Sequence, residues 1–211
     1  GVLLEPITDV LGCFHEELLT ALGEAGIPLV FLGGSYRKSL PCVAPDEEAG
    51  AEILVSHLAA QGHRRIAAIL KWDDSRGIRR FRGLLRAAQE AGLDFCPAQC
   101  LWYCEAERQR LLEGDEGLLR RFREEIRGEC TAAVCFNDEL AFRLHRFLQA
   151  RQEACGIVSY DNSYLASAAS LTSLSCPALP AAAVAALVSQ IDPNTPPPPP
   201  LSWRLAARRS G

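Results

Sequence analysis

Apolar runs and polar, helix-patterned segments alternate along this chain from its first residues. "GVLLE" reads as a strand, and a helical pattern around Phe14, Leu18, Leu19 and Leu22 follows it and stops at Gly26. "IPLVFLG" is the second strand. "PDEEAGAEILVSHLAAQGH" predicts a helix with Asp46 at the N-cap, Glu47 and Glu48 in the first turn and Gly62 past the end. Strand "RRIAAIL" leads into a helix over 74–91, where Ile78, Phe81, Leu85 and Ala88 make one apolar stripe. "AQCLWYC", "TAAVCF", "CGIVSY" and "LTSLS" are further strands. Between them lie a charged helical stretch, 105–128, and a helix opened by Asn137 or Asp138. "PALPAAAVAALVSQI" predicts a last helix with Pro177 near its start. A stiff polyproline stretch, "PNTPPPPP", and one short strand in "LSWRLAARRSG" end the chain.

Alternation this regular predicts an α/β protein whose parallel sheets are flanked by helices. Ligands of such sheets bind beyond the carboxyl ends of the strands. The residues that follow each apolar run are therefore the informative ones. They are Glu5, Gly33 to Tyr36, Lys71 to Asp74, Asn137 with Asp138, and Asp161 with Asn162. One aspartate after a strand is ordinarily a helix cap, and that reading suits Asp46 and Asp138. Five polar strand ends together point to a cleft.

Composition narrows the function. The 211 residues suffice for one large domain or two lobes, and a net charge of −4 offers no general attraction for nucleic acid. No apolar run reaches the length of a membrane span, and no basic-then-apolar leader opens the chain. The chain contains no Met, which reads as a piece that starts inside a longer protein. Nine cysteines, several within apolar strand runs, fit buried thiols in a reducing cytoplasm. Cys96, Cys100 and Cys104 recur every four residues, but the second ligand pair that zinc requires is missing, so no metal or cofactor is expected. The four histidines are dispersed, and neither a G-x-S-x-G elbow nor a Walker phosphate loop occurs, which argues against an enzyme.

Several stretches together resemble the effector-binding domain of the lactose-repressor family, in the branch of arabinose repressors that carry a GntR-type winged helix. The resemblance runs through "GVLLEP", "GIPLVFLGGSY", "VAPDEEAGAEILVSHLAAQGHRRIAAI", "DDSRGIRRFRGLLRAAQEAGL", "AAVCFNDELA", "GIVSYDNSYLA" and "LTSLSCP". It implies a two-lobed, periplasmic-binding-protein-like fold with a truncated first lobe. Residues 1–62 with 175–195 would form the N-terminal lobe, and 63–174 with 200–207 the C-terminal one. It also implies a cytoplasmic transcription repressor that binds L-arabinose or a related sugar. Such a protein would pair as a homodimer and touch DNA only through a module outside this chain, with no membrane partner. An extracytoplasmic sugar receptor of a transporter is the alternative with the same lobes.

The resemblance assigns roles to single residues. Arg80, three residues before Gly83, matches the arginine that reaches sugar hydroxyls. Asp161 matches the ligand aspartate, and Asp74 another contact position. A guanidinium offers several donors in a fixed fork, suited to vicinal hydroxyls, and a carboxylate accepts from two at once. Asn137 can both donate and accept, Glu5 would face the cleft from the other lobe, and Trp102 or Tyr103 would stack on the sugar. Arg79 or Arg82 is expected on the surface. Gly33 stands where relatives carry Asn or Asp, so one polar contact is missing.

Overall fold

The computed structural model describes residues 1–11, 15–37, 39–192, 194–196 and 198–210. Phe14, expected in the first helix, lies outside the described residues, as do two positions of the polyproline stretch. The elements are β1 (Val2–Leu4), α1 (Glu16–Glu24), β2 (Leu29–Leu32), β3 (Cys42–Val43), α2 (Glu47–Ala60), β4 (Ile66–Lys71) and α3 (Ser75–Ala91). They continue as β5 (Cys100–Tyr103), α4 (Glu105–Leu112), α5 (Gly117–Arg121), β6 (Ala132–Cys135), α6 (Asp138–Gln149) and β7 (Gly156–Tyr160). Last come α7 (Tyr164–Ala168), β8 (Thr172–Ser175), α8 (Leu179–Ser189) and β9 (Arg204–Ala206).

Two sheets result. The smaller has the order β1-β2-β3, all parallel, with β1 at an edge. The larger has the order β5-β4-β6-β7-β8-β9, parallel except for β9. Strand β4 lies inside it and buries all six of its residues, which explains its unbroken apolar run. Helix α8 packs on the small sheet.

Helix α2 departs from the expected division at residue 62. Its buried Leu54, Val55 and Leu58 share one core with Ile66, Ile69 and Leu84 of the large sheet and its cover. Its main partner is α3. The contact is close because Gly83 has no side chain: a Cβ there would meet the Glu48 Cα at 2.7 Å. The chain therefore passes to the larger body before α2, at residues 44–46. Sequence periodicity shows that α2 has an apolar face but not which sheet covers it.

The expected helix over 105–128 is also broken. Gly114 turns with φ +101 and Asp115 accepts from the Gly117 N–H at 2.8 Å, so α4 ends and α5 restarts. A π turn over Phe122–Ile126 follows. Two short elements, β3 and α7, had no periodic signal long enough to detect.

Candidate functional site

The carboxyl ends of β1, β2, β4 and β7 face one another across a cavity of about 490 Å³. Its lining includes Glu5, Gly33, Glu47, Arg76, Arg80, Asp161 and Trp203. That volume lies in the range of small-molecule sites. A larger concavity of about 890 Å³ opens around His63, Arg127 and Cys155, at the amino ends of β6 and β7. It gathers none of the strand-end carboxylates and lies at the end of the sheet where such folds do not bind ligands.

Arg80 is only 4% exposed. Its Nε donates to Glu47 Oε2 at 2.7 Å and its Nη1 donates to the Phe136 carbonyl. The guanidinium lies 3.7 Å from the Tyr160 ring centre and 4.8 Å from that of Phe136. Burial opposes its charge, but Glu47, Tyr160 and Asp161 together outweigh burial and hold the pKa above its usual value. Arg76, four residues earlier and thus on the same helix face, makes the second guanidinium of the cleft. It donates from Nη2 to Asp74 Oδ2 at 2.7 Å and from Nη1 to Glu5 Oε1 at 2.5 Å.

Asp161 stands at the end of β7 with φ +106, and Asn162 follows at φ +49. Both are positive-φ positions that strain a residue with a side chain. The turn is held from below. Asp138, buried at the start of α6, accepts from Ser173 Oγ at 2.7 Å and from the Ser163 N–H at 2.6 Å. Ser173 Oγ in turn accepts from the Asn162 N–H at 2.9 Å. Asp138 is thus a brace for the Asp161 turn, and the helix cap is Asn137. Asp161 keeps a face open to the cleft. The walls desolvate its carboxyl and push its pKa up to about 6, against the pull of Arg80.

The structure separates the remaining candidates. Asn137 Oδ1 accepts from the Leu140 N–H at 3.0 Å as the α6 N-cap. Asn137 and Tyr103 line a separate small cavity with Arg108 instead of the cleft. Tyr103 is buried against Phe136, and Trp102 packs on Phe81, so neither offers a ring to a cleft ligand. Asp74 is buried, caps α3 at the Arg76 N–H and orients the Arg76 guanidinium, so it acts through Arg76. The aromatic side chain that does line the cleft is Trp203. Its Nε1 donates to the Asp46 carbonyl at 2.6 Å and its ring meets Tyr160 edge-on at 5.6 Å. Sequence reasoning missed Trp203, Glu47 and Arg76. The Arg76–Arg80 spacing was the one readable signal among them.

The two sheets are tied together beside the cleft. Asp9 accepts from the Ser75 N–H at 2.7 Å and from Ser75 Oγ at 2.5 Å, capping α3 from the opposite wall. The buried Lys71 donates to the Ile7 carbonyl at 2.6 Å. Of Arg79 and Arg82, one or the other of which was expected on the surface, Arg82 is exposed, whereas Arg79 is half-buried and donates to the Gly33 carbonyl. A Cβ on Gly34 would lie 2.2 Å from Asp9 Oδ2, so glycine is what permits this approach.

Among the described residues no three His, Cys, Asp or Glu side chains gather as a metal ion would require. No helix among them is long and apolar enough to cross a membrane. The model of the periplasmic binding protein-like domain matches residues 55–210. The arabinose metabolism transcriptional repressor of Geobacillus stearothermophilus is 33% identical over 177 residues, which is 81% of this chain and 48% of that protein. Its counterpart from Halalkalibacterium halodurans is 29% identical over 81% of this chain and 46% of its own. The chain thus spans about half the length of the curated relatives it matches. Among solved structures, the transcriptional regulator CelR–cellobiose complex superposes with a TM-score of 0.78 at 25% identity, covering 100% of this chain and 65% of that one. A LacI transcriptional regulator from a Rhodococcus species gives 0.76 at 27% identity, covering 99% and 76%.

Proposed function

The chain belongs to the periplasmic binding protein-like domain family, and from that premise we propose that it is the sugar-effector domain of a bacterial transcriptional repressor. The observation that carries this reading is the convergence of Arg76, Arg80, Glu5 and Asp161 on one cleft at the strand ends of two sheets. Donors in fixed forks and a free carboxylate suit a ligand that presents hydroxyls on both faces. Trp203 supplies an apolar ring for the C–H face. Relatives named as arabinose repressors make L-arabinose the first sugar to test.

The same relatives are regulators, which supports a binding module over an enzyme and over the transport-receptor alternative. In this proposal the protein acts in the cytoplasm as a homodimer. It contacts DNA through a separate module, and sugar binding shifts the population of wall arrangements that the DNA module senses.

Titration calorimetry of a sugar panel, L-arabinose first, tests the reading. Arg80→Ala removes a charge-assisted contact worth about 1.5–3 kcal/mol, so affinity falls about tenfold to a hundredfold. Asp161→Ala falls similarly, and Arg82→Ala leaves the affinity unchanged. A sugar whose affinity survives Arg80→Ala and Asp161→Ala intact would place its site elsewhere.

A further inference from the structure

Both guanidiniums of the cleft are already matched by carboxylates. Arg80 and Glu47 are buried together, at 4% and 2% exposure, and bonded at 2.7 Å. Arg76 is shared between Asp74 and Glu5 at 2.7 and 2.5 Å. Asp161 forms no ion pair among the described residues. Three carboxylates, Glu5, Glu47 and Asp161, therefore line this one cavity with two guanidiniums, and Asp74 stands behind Arg76. No Lys or His lines the cavity among the described residues.

We propose that the cleft is a charge filter that admits uncharged polyols and rejects their phosphorylated or carboxylated counterparts. Glu47 is its specificity-determining residue and Glu5 its second element, at the exposed rim. The inference rests on the reading that this cleft takes a sugar-like ligand. The physical reason is the state in which an anion would leave Glu47. A phosphate on the Arg80 N–H groups that Glu47 and Phe136 leave open would share a guanidinium already neutralised by Glu47, and two anions would then face each other with one cation between them at a carboxylate that has almost no contact with water. A hydroxyl brings no second anion. It accepts from guanidinium N–H groups not engaged by Glu47 or Phe136, and donates to Asp161 or Glu5. The excess negative charge also repels an anion before it makes contact.

The test uses the whole chain and calorimetry with L-arabinose, D-ribose, D-ribose 5-phosphate, D-galacturonate and inorganic phosphate. Wild type is expected to ignore inorganic phosphate, D-ribose 5-phosphate and D-galacturonate. Glu47→Gln keeps an oxygen for Arg80 Nε and removes the charge. It should gain inorganic phosphate binding by about tenfold or more, the scale of one removed like-charge contact. Glu5→Gln, at an exposed position where folding is not at risk, should gain binding by a smaller factor. Circular dichroism checks that each variant is folded, and if Glu47→Gln is not, Glu5→Gln decides.

Wild type that binds D-ribose 5-phosphate as tightly as D-ribose overturns the filter and leaves the sugar-effector reading standing. Folded variants as blind to inorganic phosphate as wild type overturn it too. Variants that gain phosphate binding while neutral sugars give no heat with wild type uphold the rejection of anions by Glu47, overturn the admission of polyols, and count against the sugar reading.

Discussion

Strand β4 buries six consecutive residues, Ile66 to Lys71, whereas β1 across the cleft leaves Leu3 39% exposed. The contrast extends through both walls. The large sheet and its helices share one continuous core, while the small sheet is centred on three buried side chains, Leu19, Leu29 and Phe31. Helix α8, which backs the small sheet, is apolar nearly all round, and its Val184 and Val188 are exposed. The small wall is held to the large one beside the cleft by polar bonds, from Asp9 to Ser75, from Lys71 to the Ile7 carbonyl, and between Glu5 and Arg76. A wall secured by a thick core keeps its shape. A wall secured by a few polar bonds has a position that a ligand's differential contacts can bias.

The largest way to strain this contrast is Arg80→Ala. It strands the buried Glu47 carboxylate and should cost about 3–5 kcal/mol in urea unfolding, because a lone buried charge is far worse than none. The double variant Arg80→Met with Glu47→Leu should recover most of the loss, since it removes both charges. A loss below about 1 kcal/mol for Arg80→Ala would show that the pair is solvated.

Next in size, Leu58→Ala on α2 should cost about 2–5 kcal/mol as a cavity in the large core. Leu19→Ala should instead loosen the small wall alone. Amide exchange is expected to rise in β1 and β2 while β4 and β6 stay protected. If α2 amides exchange with β1 and β2 rather than with β4, the packing of α2 on the large body is refuted.

Asp161 joins the walls' chemistry to pH. Its folded pKa of about 6 exceeds the unfolded value near 4. Between those values the folded chain holds the extra proton, so stability falls as pH rises through the window and levels off above it. On the proposed sugar reading affinity runs the other way, because the ionised carboxylate would accept the hydroxyls, and it should weaken as pH drops below about 6. Asp161→Asn should flatten both profiles. Asp161→Gly also releases the positive-φ strain, of order 1–3 kcal/mol. It should raise stability at pH 7 while abolishing the Asp161 share of binding.

The smallest of these effects belongs to the latch. Asp9→Ala removes a cap worth about 0.5–2 kcal/mol from α3. Its signature should be faster exchange over residues 2–11 with unchanged protection in β6 and β7. Equal loosening of both walls would break the comparison.

Much of this was legible in the residues. Strand and helix types, the parallel class and the polar strand ends that border the cleft follow from periodicity and from where the apolar runs stop. Asp161 and Glu5 were named because they adjoin those ends, whereas Arg80, inside α3, was named only through the resemblance. Asn137 was placed in the cleft by the strand-end logic and Tyr103 as a stacking ring beside the resemblance, yet both line a separate small cavity. A strand end brings a residue to the right edge of the sheet without fixing which way its side chain turns. Asn137 turns back to cap its own helix.

What the sequence by itself determined is local. Alternation, caps and glycine stops depend on neighbours within a few residues, and the chain states them directly. What only the tertiary structure decided is long-range. Glu47 meets Arg80 across 33 positions, Asp9 meets Ser75 across 66, and Trp203 reaches the Asp46 carbonyl across 157. Each of these contacts depends on how separate helices and sheets settle against one another. That settling is governed by the summed burial of many side chains, which no single motif encodes.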